Sequence, residues 1–224
     1  MCLTAASMDS TSIPKAGFFD SGIGGTCILE AFKRLCPDVP TVYIADSANC
    51  PYGEKTDDEL WQIVSHNVEQ LKSQGAAIIV IACNTATTRC IDRLRQTYPE
   101  LHFIGTEPAI KLACEHGGKQ ILVMATPGTV KADRTQALIA KHQTPEQQIT
   151  LLSCAGLADA IEFKRDVSTK LNELLGSLPK DYDTIVLGCT HYSLIKDQIQ
   201  KYFPRAKLID GNAGIARRVA TLVK

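Results

Sequence analysis

The chain has 224 residues, 45% of them hydrophobic and 21% charged, and its 24 Lys and Arg balance 24 Asp and Glu. This length supports one large domain or two small ones with a buried core. The zero net charge argues against nucleic acid as a partner, and no run of adjacent cationic residues is longer than a pair such as Arg217 and Arg218. No apolar run approaches the roughly 18 residues that suggest a membrane span, so no membrane partner is expected.

Residues 1–14 are rich in Ser and Thr but lack the basic start and apolar middle of a signal peptide, and they read as a loose leader. The nine cysteines (Cys2, Cys27, Cys36, Cys50, Cys83, Cys90, Cys114, Cys154 and Cys189) are an odd set without a CxxC pair. That pattern disfavours a disulfide framework and a zinc knuckle, and it fits a reducing cytoplasm.

AGFFDSGIGG (Ala16 to Gly25) predicts a short strand ending at Asp20, a glycine turn, and a helix from about Thr26 to Leu35. Gly22, Gly24 and Gly25 could hold an anion on exposed amides at the helix start, or could simply form a strand-to-helix turn. The dinucleotide fingerprint is not met, because its third position is Cys27. A second strand, Val39 to Asp46, runs into a loop marked by Pro51 and Gly53. The helix that begins near Thr56 spaces Leu60, Ile63, Val64, Val68 and Leu71 by threes and fours, with Asp57, Asp58 and Glu59 in its first turn. Trp61 and His66 read as packing and surface residues.

Next comes IIVIACNTATT (Ile78 to Thr88), an apolar run that ends in Cys83 and leads into a helix through Arg95. The pattern then repeats: strands at LHFIGT, QILVMAT and ITLLSCAG, helices at Ala109 to Glu115, Ala132 to Ala140 and Ala158 to Leu175, and a turn at Pro127 and Gly128. TIVLGCTHY (Thr184 to Tyr192) is a strand ending near Cys189, followed by a helix at Leu194 to Tyr202, a strand at Ala206 to Asp210, and a last helix. Continuous Val- and Ile-rich runs alternating with helices define the α/β class with largely parallel sheets. The two cysteine strands are 189 − 83 = 106 residues apart, and the same offset carries Asp20 onto Thr126, Gly22 onto Gly128 and Ser47 onto Ser153. An internal duplication is the economical reading, with two similar domains facing one cleft.

Cys27, Cys36, Cys90 and Cys114, on predicted helices or at their ends, read as small hydrophobes. Cys83 and Cys189 precede helices, where amide dipoles lower a thiol pKa, and they have polar neighbours. Three chemistries are open. Cys83 to Arg89 spells the C-x5-R of a cysteine phosphatase, but NTATT has no glycine to open a phosphate loop and Cys189 stays idle. Acyl transfer with His191 as base leaves one cysteine without a task. Inversion of a carbon centre uses both thiols, one on each face, each acting as acid or base according to direction. Asp20 and His191 are the candidate tuners, and no metal motif or cofactor lysine is evident.

FDSGIGG, PYG, ACNTAT, TPGTV and LGCTHY, in this order from Gly17 to the C-terminus, resemble the glutamate racemases of the cofactor-independent aspartate/glutamate racemase superfamily. The resemblance implies two α/β domains about a pseudo-twofold axis (residues 15–103 with 209–224, and 104–208) and an active site between them. It implies that Cys83 and Cys189 are the acid/base pair, with Asp20 beside the first, His191 beside the second and Glu162 at the place of an auxiliary acid. Ser21, Tyr52, Gly53, Asn84, Thr85 and Thr190, along with Asp20 and His191, are the implied substrate contacts. No cofactor or metal is expected. The expected partners are a small amino acid, glutamate or a near relative such as aspartate, and for assembly a second copy of the chain. Several positions depart from the family's pattern: CAGLADAIE after Cys154, Ser193 in place of a proline, Asn49 and Cys50 before Pro51, and a short C-terminal region.

Overall fold

The computed structural model describes residues 13–116 and 118–223, so nearly all of the expected leader lies outside the described residues. The first sheet is built from β1 (Lys15–Asp20), β2 (Thr41–Ala45), β3 (Ala76–Ile81) and β4 (His102–Gly105), connected by α1 (Thr26–Leu35), α2 (Asp57–Ser73) and α3 (Asn84–Thr97). The second half opens with α4 (Ile110–His116) and builds its sheet from β5 (Gln120–Ala125), β6 (Gln148–Ser153), β7 (Thr184–Leu187) and β8 (Lys207–Ile209). Its connections are α5 (Pro127–Lys131), α6 (Asp133–His142), α7 (Leu157–Glu162), α8 (Val167–Leu175), α9 (Thr190–Ser193) and α10 (Lys196–Tyr202), and α11 (Asn212–Ala220) closes the chain.

The sheets run β2-β1-β3-β4 and β6-β5-β7-β8, and every neighbouring pair is parallel. The same order twice is what two copies of one α/β unit produce. Ile81 ends β3 and Leu187 ends β7, and in each case a cysteine follows two residues later. The inner strands carry continuous apolar runs because helices cover both of their faces: Phe18, Ile79, Val80, Val123 and Val186 are fully buried. β2 and β6 lie at sheet edges and are half-buried along most of their length.

Helix α11 returns to the first half, where Ala216 and Val219 pack with Ile28 and Phe32 of α1. The expected boundaries at 103/104 and 208/209 fall inside β4 and β8, so strand pairing carries the two crossings past Gly105 and Ile209. Helix α2 starts where the acidic first turn indicated. Thr56 and Glu59 form a reciprocal capping box there, satisfying two backbone N–H groups that the helix itself cannot.

Three helices differ from expectation. The expected Ala158 to Leu175 helix breaks after Glu162: Lys164 adopts a left-handed φ of 51°, and Asp166 caps α8 by accepting from the Thr169 N–H. The Leu194 to Tyr202 helix is preceded by the single turn α9 and itself starts at Lys196. The turn at Pro127 and Gly128 is the start of α5, with Thr126 as N-cap and Pro127 in the first turn, where its missing N–H costs nothing.

The glycine segment after β1 lies against the second half of the molecule. A Cβ on Gly22 would stand 2.2 Å from a Glu162 carboxylate oxygen, and one on Gly24 would stand 2.6 Å from the His191 backbone nitrogen. Both glycines are therefore required for close approach between the halves. Gly24→Ala meets backbone rather than a movable side-chain tip, so it should destabilise the fold by about 1–3 kcal/mol. Urea unfolding measures this, and an unchanged midpoint would contradict the tight contact.

Candidate active site

In each sheet the strand order reverses between two inner strands, β1 and β3 in the first and β5 and β7 in the second. Crevices at the carboxyl ends of such strands are where parallel sheets collect ligands. Asp20 ends β1, Cys83 follows β3 as the N-cap of α3, Thr126 follows β5, and Cys189 follows β7 as the N-cap of α9. The four residues occupy matching places in the two halves.

Asp20 is fully buried. Its Oδ2 accepts from the Gly25 N–H at 2.8 Å and, across the cleft, from the Thr190 hydroxyl at 3.1 Å, while Oδ1 is buried with no partner among the described residues. An unpartnered buried carboxylate oxygen is costly and stands ready for a donor that the protein does not supply. His191 is fully buried as well, with Nδ1 3.8 Å from the Cys189 sulfur and Nε2 2.7 Å from Glu162 Oε2. Glu162 reaches from the end of α7 to the first half, accepting from the Ile23 N–H at 2.9 Å and from the Ser47 hydroxyl. Burial acts to raise its pKa, but the bonds from Ser47, Ile23 and His191 together hold it below the usual carboxylate value.

The thiols are 6% (Cys83) and 8% (Cys189) exposed, so the cleft is closed around them. Burial, and behind it the charge of Asp20, pushes the Cys83 thiol up to about 11, even though the Ala86 and Thr85 amides and the Ser21 hydroxyl act in the other direction. Burial, followed by the charges of Cys83 and Asp20, raises Cys189 well above its ordinary value. The sequence-based expectation that helix-end amides lower these pKa values is therefore corrected: desolvation outweighs the dipole, and α9 offers only one turn of it. Burial also raises Asp20, against the opposing influence of His191.

Asp20, Ser21, Cys83, Cys189, Thr190, His191 and Glu162 thus come together. Asn84 and Thr85 form the buried first turn of α3, and the Thr85 hydroxyl bonds Thr126 (2.7 Å) and Thr129 (3.2 Å) across the cleft. Tyr52 behaves differently. Its ring is in the core and its hydroxyl donates to Asp46 at 2.6 Å, so only its backbone remains for a ligand. Gly53 packs against Thr126 and also borders a separate cleft of about 810 Å³ with Arg89, Lys131 and Arg134, which neither cysteine lines. Arg89 lies within α3 and binds Asp57 at 2.8 Å. NTATT is helical there, so the C-x5-R phosphate loop does not form.

Sequence reasoning did not single out Ser47, Thr126 and Thr129, although TPGTV contains both threonines and the 106-residue offset pairs Asp20 with Thr126 and Ser47 with Ser153. The only group of three or more His, Cys, Asp or Glu side chains among the described residues with metal-compatible spacing is Cys50, Glu162 and His191.

Two parallel sheets thus face a closed cleft and bring a thiol from each to equivalent helix starts. The family model for Asp/Glu/Hydantoin racemase matches residues 26–219, and the chain belongs to that family. It is 38% identical over 214 residues to a glutamate racemase of Clostridium novyi, an alignment that spans 92% of this chain and 82% of the relative. Its fold is similar to the crystal structure of Escherichia coli glutamate racemase in complex with L-glutamate and the activator UDP-MurNAc-ala (TM-score 0.84, 33% identity, 95% of this chain and 83% of that one). It is also similar to glutamate racemase from Francisella tularensis in complex with D-glutamate (TM-score 0.80, 27% identity, 94% and 81%).

Because the Asp20 charge contributes to raising both thiols, Asp20→Asn should shift the pH at which Cys83 becomes alkylated downward from about 11. The pH profile of iodoacetamide labelling checks this, and an unchanged or higher midpoint would contradict it.

Proposed function

We propose that the chain is a glutamate racemase that interconverts L- and D-glutamate without a cofactor, passing the α-proton between Cys83 and Cys189. The observation that carries this reading is the pair of buried thiols at equivalent helix starts of two like halves, each beside a titratable partner. On one face a thiolate takes the α-proton, so a C–H bond breaks and an S–H bond forms. On the other face a thiol gives its proton to the same carbon, and the roles exchange in the reverse direction. His191, held by Glu162, hands protons to and from Cys189, and Asp20 does the same on the side of Cys83.

Burial suits this chemistry. Charge that develops on the α-carboxylate is stabilised by preorganised donors in a water-excluded site, where each hydrogen bond counts for more than in water. The amides at the start of α3 and the hydroxyls of Ser21, Thr85 and Thr190 are the donors at hand, along with the side chain of Asn84 and the backbone of Tyr52 and Gly53. Asp20 Oδ1, without a partner among the described residues, accepts from the substrate ammonium. In the closed cleft Thr85 is engaged with Thr126 and Asp20 with Thr190, so the two halves part to admit substrate and these groups exchange partners.

Supply of D-glutamate for bacterial peptidoglycan, a cytoplasmic location and a homodimeric assembly belong to the same reading. No helix among the described residues is long and apolar enough to cross a membrane. Aspartate is the nearest rival substrate, because the same two thiols would serve it.

Incubation with L-glutamate in deuterated water should produce D-glutamate together with loss of the α-proton NMR signal. Aspartate run in parallel should exchange far more slowly. Glutamate that binds but shows neither change would reject racemisation, and faster exchange of aspartate would reassign the substrate.

A further inference from the structure

Cys50 has no part in the proton transfer. It sits in the loop between β2 and α2 on the first half of the molecule and is partly exposed, whereas Glu162 and His191 come from the second half and are buried. The Cys50 sulfur, a Glu162 carboxylate oxygen and a His191 ring nitrogen all lie within 4.8 Å of one another. We propose that these three side chains form an inhibitory zinc site whose ion takes no part in the reaction, and that its occupation locks the cleft shut and stops turnover.

The donor set is the first argument. Thiolate, imidazole and carboxylate together suit a borderline-soft ion such as Zn²⁺, and three protein donors leave a fourth tetrahedral position for water. Bonds of roughly 2.0–2.3 Å place tetrahedral donors about 3.3–3.8 Å apart, so no pair need contract by more than about 1.5 Å. The 2.7 Å contact between His191 Nε2 and Glu162 opens slightly to admit the ion. As the Zn–S bond forms, the Cys50 proton leaves to water.

The surroundings are the second argument. Glu162 is already oriented by the Ile23 N–H and the Ser47 hydroxyl, the kind of outer partner that fixes a metal-binding carboxylate. Nδ1 of His191 points to Cys189, so the Nε2 side serves the ion and Cys189 stays outside the donor set. The partly exposed sulfur offers a way in.

The consequence follows from which half each ligand belongs to. An ion bound to Cys50 on one half and to Glu162 and His191 on the other staples together surfaces that substrate entry must separate. It also takes His191 away from its exchange with Cys189. Binding of the ion stands apart from the racemase reading; only the arrest of turnover rests on it.

The full chain, stripped by a chelator, is titrated with Co²⁺ as a visible substitute and then with competing Zn²⁺. One Co²⁺ per chain with a sulfur-to-cobalt charge-transfer band is expected, and Cys50→Ser and Cys50→Ala should abolish the band. Each variant should weaken Zn²⁺ binding and Zn²⁺ inhibition by at least about a hundredfold, since loss of even an outer partner costs 10–100-fold. Their racemase rates in chelated buffer should match the parent. A parent without the charge-transfer band, or variants that keep the band and the Zn²⁺ affinity through Cys83 or Cys189, would overturn the proposal. A band lost in both variants from a protein inactive on glutamate would support the site and reject only the racemase reading.

Discussion

The geometry of the site depends on one carboxylate that reaches from one half of the molecule to the other. Glu162 leaves the end of α7, crosses to the first half, and accepts there from the Ile23 N–H and the Ser47 hydroxyl while its Oε2 also meets His191 Nε2. Gly22 must be a glycine for that carboxylate to fit, and Gly24 must be one for the Thr190–His191 backbone to lie against the same turn. Glycines that resemble a phosphate loop in the sequence are thus explained by contact between the halves. Four groups result from this closure: a buried Asp20, two buried thiols and a histidine fixed in orientation.

Closure also sets the electrostatics. A thiol at a helix start is expected to ionise readily, yet here removal from water outweighs the amides, and Cys83 is pushed up to about 11. Removal from water thus favours the protonated form of both thiols.

Much of this was legible in the residues. The inner strands declare themselves through Phe18–Phe19, Ile78–Ile81 and Ile121–Met124, because a strand covered on both faces has no polar alternation to confuse with anything else. The 106-residue spacing of Cys83 and Cys189 reflects two sheets of the same strand order. What stayed hidden depends on contacts distant in the chain. The clamp of Ser47 on Glu162, the Thr85–Thr126 bond and the anchoring of the Tyr52 hydroxyl by Asp46 leave no local pattern. The break after Glu162 was also invisible, because Phe163 to Asp166 continue a plausible helix until Lys164 turns left-handed and Asp166 caps the next one.

The central claim is that Cys83 and Cys189 act as one device on one carbon, and the double-mutant cycle on racemisation tests it most directly. Rates are measured for Cys83→Ser, Cys189→Ser and the double variant, each first shown to fold like the parent. If the thiols work together, each single substitution costs on the order of 10²–10⁴-fold and the double costs no more than the worse single one. Full racemase activity in either single variant, or losses that multiply in the double, would contradict the account.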